Sequence, residues 1–266
     1  MIATHIGQRG AAMSPISIGR TRRSATPLQL PDLSLEANTL FSLVRTQGIT
    51  LETGIQHWVD PSRPTLGYEQ LVTGDQPAYT DNWVNGDGSN FMSLNAATIA
   101  ALNAYGGDDL SIVFVGKGDT SSPGNFISYL GLAEGTGVNH TFTLFRINSG
   151  LDLLSQCRRN TSGTTKAASI TVDETTAVDV YSSVMPRNAT MILRRGSTQS
   201  GTVDTVENLP VPTDFSAAYS HLFRWNASAG VLRYTGQCAA VLFYKGALSG
   251  AQLDTYKTDL QTLGII

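Results

Sequence analysis

Gly236-Gln237-Cys238-Ala239-Ala240-Val241-Leu242-Phe243-Tyr244-Lys245-Gly246-Ala247-Leu248-Ser249-Gly250-Ala251-Gln252 decides the fold. From Gln237 to Tyr244 the chain is almost continuously apolar, as a strand covered on both faces must be. Gly246 breaks the run. Ser249 and Gln252 then form a capping box, in which each side chain closes a free backbone donor at the start of a helix. Leu253, Tyr256, Leu260 and Leu263 follow at spacings of three, four and three, and Gly264 is placed to end the helix. The stretch predicts a central sheet strand leading into a short helix that packs by one face.

Upstream, the strand period dominates. Leu110-Ser111-Ile112-Val113-Phe114-Val115-Gly116 is a β-branched and aromatic run. His140–Arg146, Thr190–Arg195 and Val231–Tyr234 alternate between apolar and polar residues. Clusters of Gly, Asn, Asp and Ser at Asn85–Gly88, Lys117–Gly124, Asn160–Thr164 and Asn226–Gly230 read as turns. Many short strands with such turns specify a β-sandwich. Trp58 sits in the alternating stretch Ile55–Asp60 and reads as core.

The beginning of the chain differs in character. Residues 1–30 hold Arg9, Arg20, Arg22 and Arg23 and no acidic residue. That gives +4 here, against −3 for all 266 residues, and leaves −7 on the other 236. A short extended strip, Met13–Arg20, and the prolines Pro27 and Pro31 suit a basic arm that docks on another surface. Asp32 and Ser34 are helix-start residues, and Leu40, Leu43 and Val44 recur at helical spacing, which predicts a short helix over 34–46. The expected organisation is an extended basic arm over 1–30, a short helix and linker over 31–49, and one β-sandwich over 50–266.

Charged residues make up only 15% of the chain, and Ser, Thr, Asn and Gly take their place. Such a surface suits an all-β protein that packs against partners. The net negative charge argues against nucleic acid as a partner, and no run of 18 apolar residues is present to insert into a membrane. Cys157 and Cys238 lie 81 residues apart without CxxC spacing, so they read as two buried thiols, or as a disulfide if facing strands bring them together.

Two sets of residues carry a family resemblance. One is Ile55-Gln56-His57-Trp58-Val59-Asp60 with Gln76-Pro77-Ala78-Tyr79, Asn85-Gly86 and Phe91-Met92-Ser93-Leu94. The other is Gly236–Gln252. Together they resemble the LamG-like domains of the concanavalin-A-like lectin/glucanase superfamily over roughly residues 50–266. The family's Ile-Ala-Glu is Cys238-Ala239-Ala240 here, so its acidic position is lost. The resemblance implies an all-β, two-sheet antiparallel jelly-roll sandwich, here with an N-terminal extended arm, a short N-terminal helix and a short C-terminal helix. The arm, with Ser17-Ile18-Gly19-Arg20, resembles the openings of virion structural proteins of tailed bacteriophages.

Catalysis has no sequence support. Glycosidases of this superfamily carry E-x-D-x-x-E, which brings two carboxylates about 5–5.5 Å apart. That pattern is absent, and Asp108-Asp109 and Asp173-Glu174 would point to opposite strand faces. His5, His57, His140 and His221 have no metal-ligand spacing, and no G-x-S-x-G occurs. Asp81, Asp87 and Asp119 offer oxygens of the kind calcium takes, but the simpler reading is turn residues bonding their own backbone; no cofactor is expected. Glycan binding would use aromatic platforms beside amides and carboxylates, for which Tyr79, Trp83, Asn85 and Asp87 form one cluster and Trp225 and Asn226 another. The combined expectation is a non-enzymatic virion component of the tail, baseplate or fibre. Arg9, Arg20, Arg22 and Arg23 would anchor it to other virion proteins and copies of itself, and the lectin-like domain would reach host surface glycans. The alternatives are a capsid decoration protein and a secreted carbohydrate-binding module.

Overall fold

The computed structural model describes residues 38–105, 109–118, 127–133, 141–147, 152–158, 166–171, 177–185, 191–196, 198–199, 202–203, 215–227 and 230–266. The chain divides into two units, Met1–Leu30 and Pro31–Ile266. The first unit, with the basic arm and Arg9, Arg20, Arg22 and Arg23, lies outside the described residues.

Seven strands come first: β1 (Thr39–Val44), β2 (Ile49–Leu51), β3 (Ile55–Asp60), β4 (Arg63–Glu69), β5 (Ala78–Thr80), β6 (Trp83–Asp87) and β7 (Met92–Leu94). A helix follows, α1 (Ala96–Tyr105). Next are β8 (Leu110–Gly118), β9 (Ile127–Ala133), β10 (Thr141–Ile147), β11 (Asp152–Arg158), β12 (Lys166–Thr171) and β13 (Asp179–Met185). Then come β14 (Ile192–Arg195), β15 (Thr198–Gln199), β16 (Thr202–Val203), β17 (His221–Leu222), β18 (Arg224–Ala227) and β19 (Gly230–Arg233). The last elements are β20 (Thr235–Lys245) and α2 (Gly250–Thr262).

These strands build two antiparallel sheets, the sandwich that the sequence specifies. The eight-stranded sheet runs β15-β14-β13-β8-β20-β6-β5, and β1 also pairs with β20. The ten-stranded sheet runs β16-β12-β11-β10-β9-β17-β7-β4-β3-β2, while β18 and β19 form a separate ribbon. β20 is the central strand. β8 pairs along one of its edges from Gly236 to Lys245. On the other edge β6 pairs with Thr235–Cys238 and β1 with Ala240–Tyr244, end to end.

Side chains from both sheets meet in one core, which includes Phe41, Trp58, Tyr68, Phe114, Leu130, Leu222 and Phe243. Phe41 and Phe243 stack at 4.5 Å across the β1–β20 pair. Trp58 is fully buried, as its place in an alternating strand predicts, and its indole N–H donates to the Val44 carbonyl. α2 buries Leu253, Tyr256 and Leu260, and both hydrogen bonds of its Ser249–Gln252 capping box are present. Cys238 is a free, buried thiol; the side chain of Cys157 lies outside the described residues.

Three expectations change. Residues 39–44, inside the helix expected over 34–46, form β1, so the sandwich begins before residue 50. The apolar spacing of Leu40, Leu43 and Val44 comes from burial on both faces of a strand, where periodicity cannot separate a helix from a strand. α1 was not expected, although its signal is present: the Asn95 side chain accepts the Thr98 N–H ahead of an Ala-rich run. Finally, Asn85, Gly86 and Asp87 continue β6 as strand instead of forming a turn.

Gly236 is a backbone requirement of this arrangement. Its φ is +152°, and a Cβ there would lie 2.4 Å from the Lys117 carbonyl oxygen on β8. Gly236→Ala is therefore expected to lower unfolding stability by about 2 kcal/mol or more. Gly74→Ala, with open space around it, should leave the denaturant midpoint unchanged; equal midpoints for the two variants would contradict this account.

Candidate functional site

All four residues of the first predicted glycan cluster lie on the β5–β6 hairpin. The strands join through a two-residue turn with Asp81 at φ 53° and Asn82 at φ 61°, the geometry of a type I′ turn. Alternation sorts the predicted residues onto two faces. Tyr79 pairs with Val84 and packs against the core. Its hydroxyl donates to the Arg45 carbonyl at 2.7 Å, and burial raises its pKa against the opposing charge of Arg45. Trp83, Asn85 and Asp87 point the other way, outward from the eight-stranded sheet.

Cross-strand pairing extends that outward face with residues that no local spacing reveals. Ala78, Asn85, Gln237 and Lys117 stand in register on β5, β6, β20 and β8. Gln237 donates to Asn85 Oδ1 at 3.0 Å, while Asn85 Nδ2 donates to Thr80 Oγ1 at 2.9 Å. Arg45 and Lys117 both approach the Trp83 ring, with Cζ and Nζ at 4.4 and 5.8 Å from its centroid. Arg45 also donates to the carbonyls of Asn82, Gly264 and Ile265, which ties the end of the α2 region to the hairpin. Burial lowers its pKa. Asp87, the last residue of β6, bonds the segment that follows the strand: its Oδ1 accepts from both the backbone and hydroxyl of Ser89 and from Asn90 N. Burial pushes its pKa up, but these bonds together hold it below the ordinary value.

A second polar row crosses the outward face of the ten-stranded sheet. His57 on β3 pairs with Glu69 on β4, Glu69 with Ser93 on β7, and Ser93 with His221 on β17. Their sequence neighbours Trp58, Tyr68, Leu94 and Leu222 fill the core. His57 and Glu69 are half-buried and have no side-chain partner among the described residues. Ser93 Oγ and His221 Nδ1 lie 3.0 Å apart. Phe91 meets His221 edge-on at 5.0 Å, and the Arg224 guanidinium sits 4.3 Å above the Phe91 ring. Sequence reading missed this row, because its members are joined by sheet register across more than 160 residues. Burial, reinforced by Arg224 and opposed by a hydrogen bond to the Ala218 backbone, pushes His221 down to about 4.

The other predicted residues fall elsewhere. Trp225 and Asn226 lie on β18, opposite Leu232 and Val231 of β19; their side chains are outside the described residues, as is Asp119. Asp81 is exposed at the hairpin turn. Among the described residues no group of three or more His, Cys, Asp and Glu side chains converges as a metal site would require.

No protein-family model and no curated protein sequence matches the chain. Solved structures do. The CBM40 domain of the Ruminococcus gnavus IT-sialidase, bound to α2,3-sialyllactose, aligns with TM-score 0.50 and 14% identity over 64% of this chain and 92% of that one. The leech intramolecular trans-sialidase, complexed with 2,7-anhydro-Neu5Ac, aligns with TM-score 0.51 and 12% identity, over 65% of this chain but only 26% of that enzyme. At such identities the likeness is one of fold: this chain is a lectin-like all-β sandwich of the kind found in carbohydrate-binding modules.

The buried histidine makes stability depend on pH. Below its ordinary value of about 6.5 the unfolded chain takes up a proton that folded His221 refuses until about pH 4. Its contribution is complete above pH ~6.5 and should decline by up to about 3 kcal/mol as pH falls to ~4. Denaturant titrations across that window should show the decline, and His221→Gln should flatten it; an unchanged slope in the variant would rule out His221 as its source.

Proposed function

We propose that this chain is a non-catalytic glycan-binding module, and that the outward row His57–Glu69–Ser93, flanked by Phe91 and His221, holds the saccharide. The observation that carries this reading is the pair of half-buried polar groups, His57 and Glu69, standing in register without side-chain partners. Such groups gain by bonding to the hydroxyls of a ligand. Antiparallel strands about 4.8 Å apart set the row out as a ladder of donors and acceptors. The like-folded R. gnavus module is bound to sialyllactose, which supports saccharide as the ligand class.

The same row argues against hydrolysis. Glu69 is its one carboxylate, so the paired acids of a glycosidase are not offered there. Ser93 and His221 resemble a nucleophile and its base only in distance. A base held near pKa 4 is a poor acceptor at neutral pH, and the His221 ring bonds the Ala218 backbone where a catalytic histidine would need an orienting carboxylate.

A second reading places this module in a bacteriophage virion, as a tail, baseplate or fibre component or a capsid decoration protein, with a secreted module as the alternative. It is supported by the acid-free first thirty residues, whose +4 charge contrasts with the −7 of the rest. In that setting the arm, through Arg9, Arg20, Arg22 and Arg23, holds the chain to its assembly while the sandwich stays free to meet host glycans.

Glycan-array binding by the full chain tests the first reading. Glu69→Gln and His57→Ala should each weaken binding about tenfold with the thermal midpoint little changed. Absence of binding to any glycan, or binding indifferent to both variants, overturns it; cleavage of a bound glycan overturns the non-catalytic part. For the second reading, reversing Arg20, Arg22 and Arg23 to Glu should abolish incorporation into particles and leave glycan binding intact. Normal incorporation would exclude the arm as anchor.

A further inference from the structure

We propose that the chain carries a second saccharide site on the eight-stranded sheet, at Trp83, and that this site takes the anionic group of an acidic saccharide. It is separate from the row on the ten-stranded sheet and does not depend on it.

Residues 31–266 are net acidic, yet two cations converge on one partly exposed indole. The hydrogen-bond acceptors of the Arg45 guanidinium among the described residues are backbone carbonyls, of Asn82, Gly264 and Ile265, so none neutralises its charge. Lys117 has no carboxylate partner among the described residues. Two like charges held beside one ring repel each other, and an anion between them removes that repulsion. The acids of the same hairpin form no ion pair with either cation: the Asp87 carboxylate is bound to Ser89 and Asn90, and Asp81 lies exposed at the turn.

The surroundings choose a sugar over a bare anion. Trp83 is half-buried and holds both cations beside its ring. Beside it the Asn85–Gln237 amide pair leads from the hairpin to Lys117. Gln237 spends its N–H on Asn85, which leaves its amide oxygen to accept from a ligand hydroxyl. An amide acceptor and two cations beside one indole match a ring that bears hydroxyls and a carboxylate or sulfate. Arg45 is pinned by backbone bonds and so is pre-ordered for an anion; Lys117, on a flexible stem, is the adjustable partner.

Isothermal titration of the full chain tests this with four probes: a neutral oligosaccharide, a uronate-containing one and a sulfated one of equal length, and sodium sulfate alone. The acidic oligosaccharides should bind more tightly than the neutral one, with affinity falling as salt rises. Lys117→Gln should weaken that binding about tenfold, and Trp83→Leu should weaken it too, whereas Glu69→Gln should not. Equal affinity for neutral and acidic probes, or no effect of Lys117→Gln, overturns the proposal. Sulfate alone binding as tightly as the sulfated oligosaccharide overturns its saccharide part. Acidic-probe binding that responds to Glu69→Gln but not to Lys117→Gln would sink this site and leave the row standing, whereas neutral-probe binding indifferent to Glu69→Gln would sink the row and leave this site standing.

Discussion

The sandwich depends on one strand satisfying three others. β20 gives one whole edge to β8 and divides the other between β6 and β1. Backbone donors and acceptors inside a core must be paired, so removing β20 would orphan three strands at once. This also explains the close packing along it. Gly236 lets the β8 backbone approach, and Phe243 reaches across the pair to stack on Phe41. The bulge between Cys238 and Ala240 falls where β6 hands over to β1, and there Arg45 N bonds the Ala239 carbonyl.

Both candidate surfaces inherit their geometry from such pairings. Arg45 leaves the end of β1 at the handover, which brings its guanidinium to Trp83 on β6. Lys117 arrives from β8 through Gln237. On the other sheet, β7 and β17 bring Ser93 to His221 although 128 residues separate them. On the ten-stranded sheet the inward neighbours Trp58, Tyr68, Leu94 and Leu222 are large core side chains, so the outward residues are held on a stiff support. A rigid support lowers the ordering cost of binding a flexible saccharide.

What the chain discloses locally and what it does not follow from this. The central strand and α2 were legible because continuous apolarity and a capping box are features of consecutive residues. β1 is not legible in this way: residues 39–44 are covered on both sides, and a doubly buried strand loses the alternation that would identify it. α1 went unread because an Ala-rich run has no apolar stripe, although Asn95 and helix propensity mark it. At the hairpin, composition groups Tyr79, Trp83, Asn85 and Asp87, but alternation sends Tyr79 inward, and the pairing partners Gln237 and Lys117 come from strands far along the chain. The row from His57 to His221 is invisible to any local reading, since each member sits in a separate segment and only register assembles it.

The position of β20 in the chain has a consequence for how the protein is made. β1, β6 and β8 are synthesised well before the strand they share, and β1 and β20 are separated by about 200 residues. Until β20 emerges from the ribosome, Phe41, Leu43 and Phe114 have no completed sheet to enter. The nascent chain therefore carries open strand edges and apolar rows while the intervening segment is made, and closure joins distant segments. Expression of this fold should accordingly be sensitive to elongation rate and to the supply of holding chaperones, a demand set by the order of its strands and not by the stability of the finished sandwich.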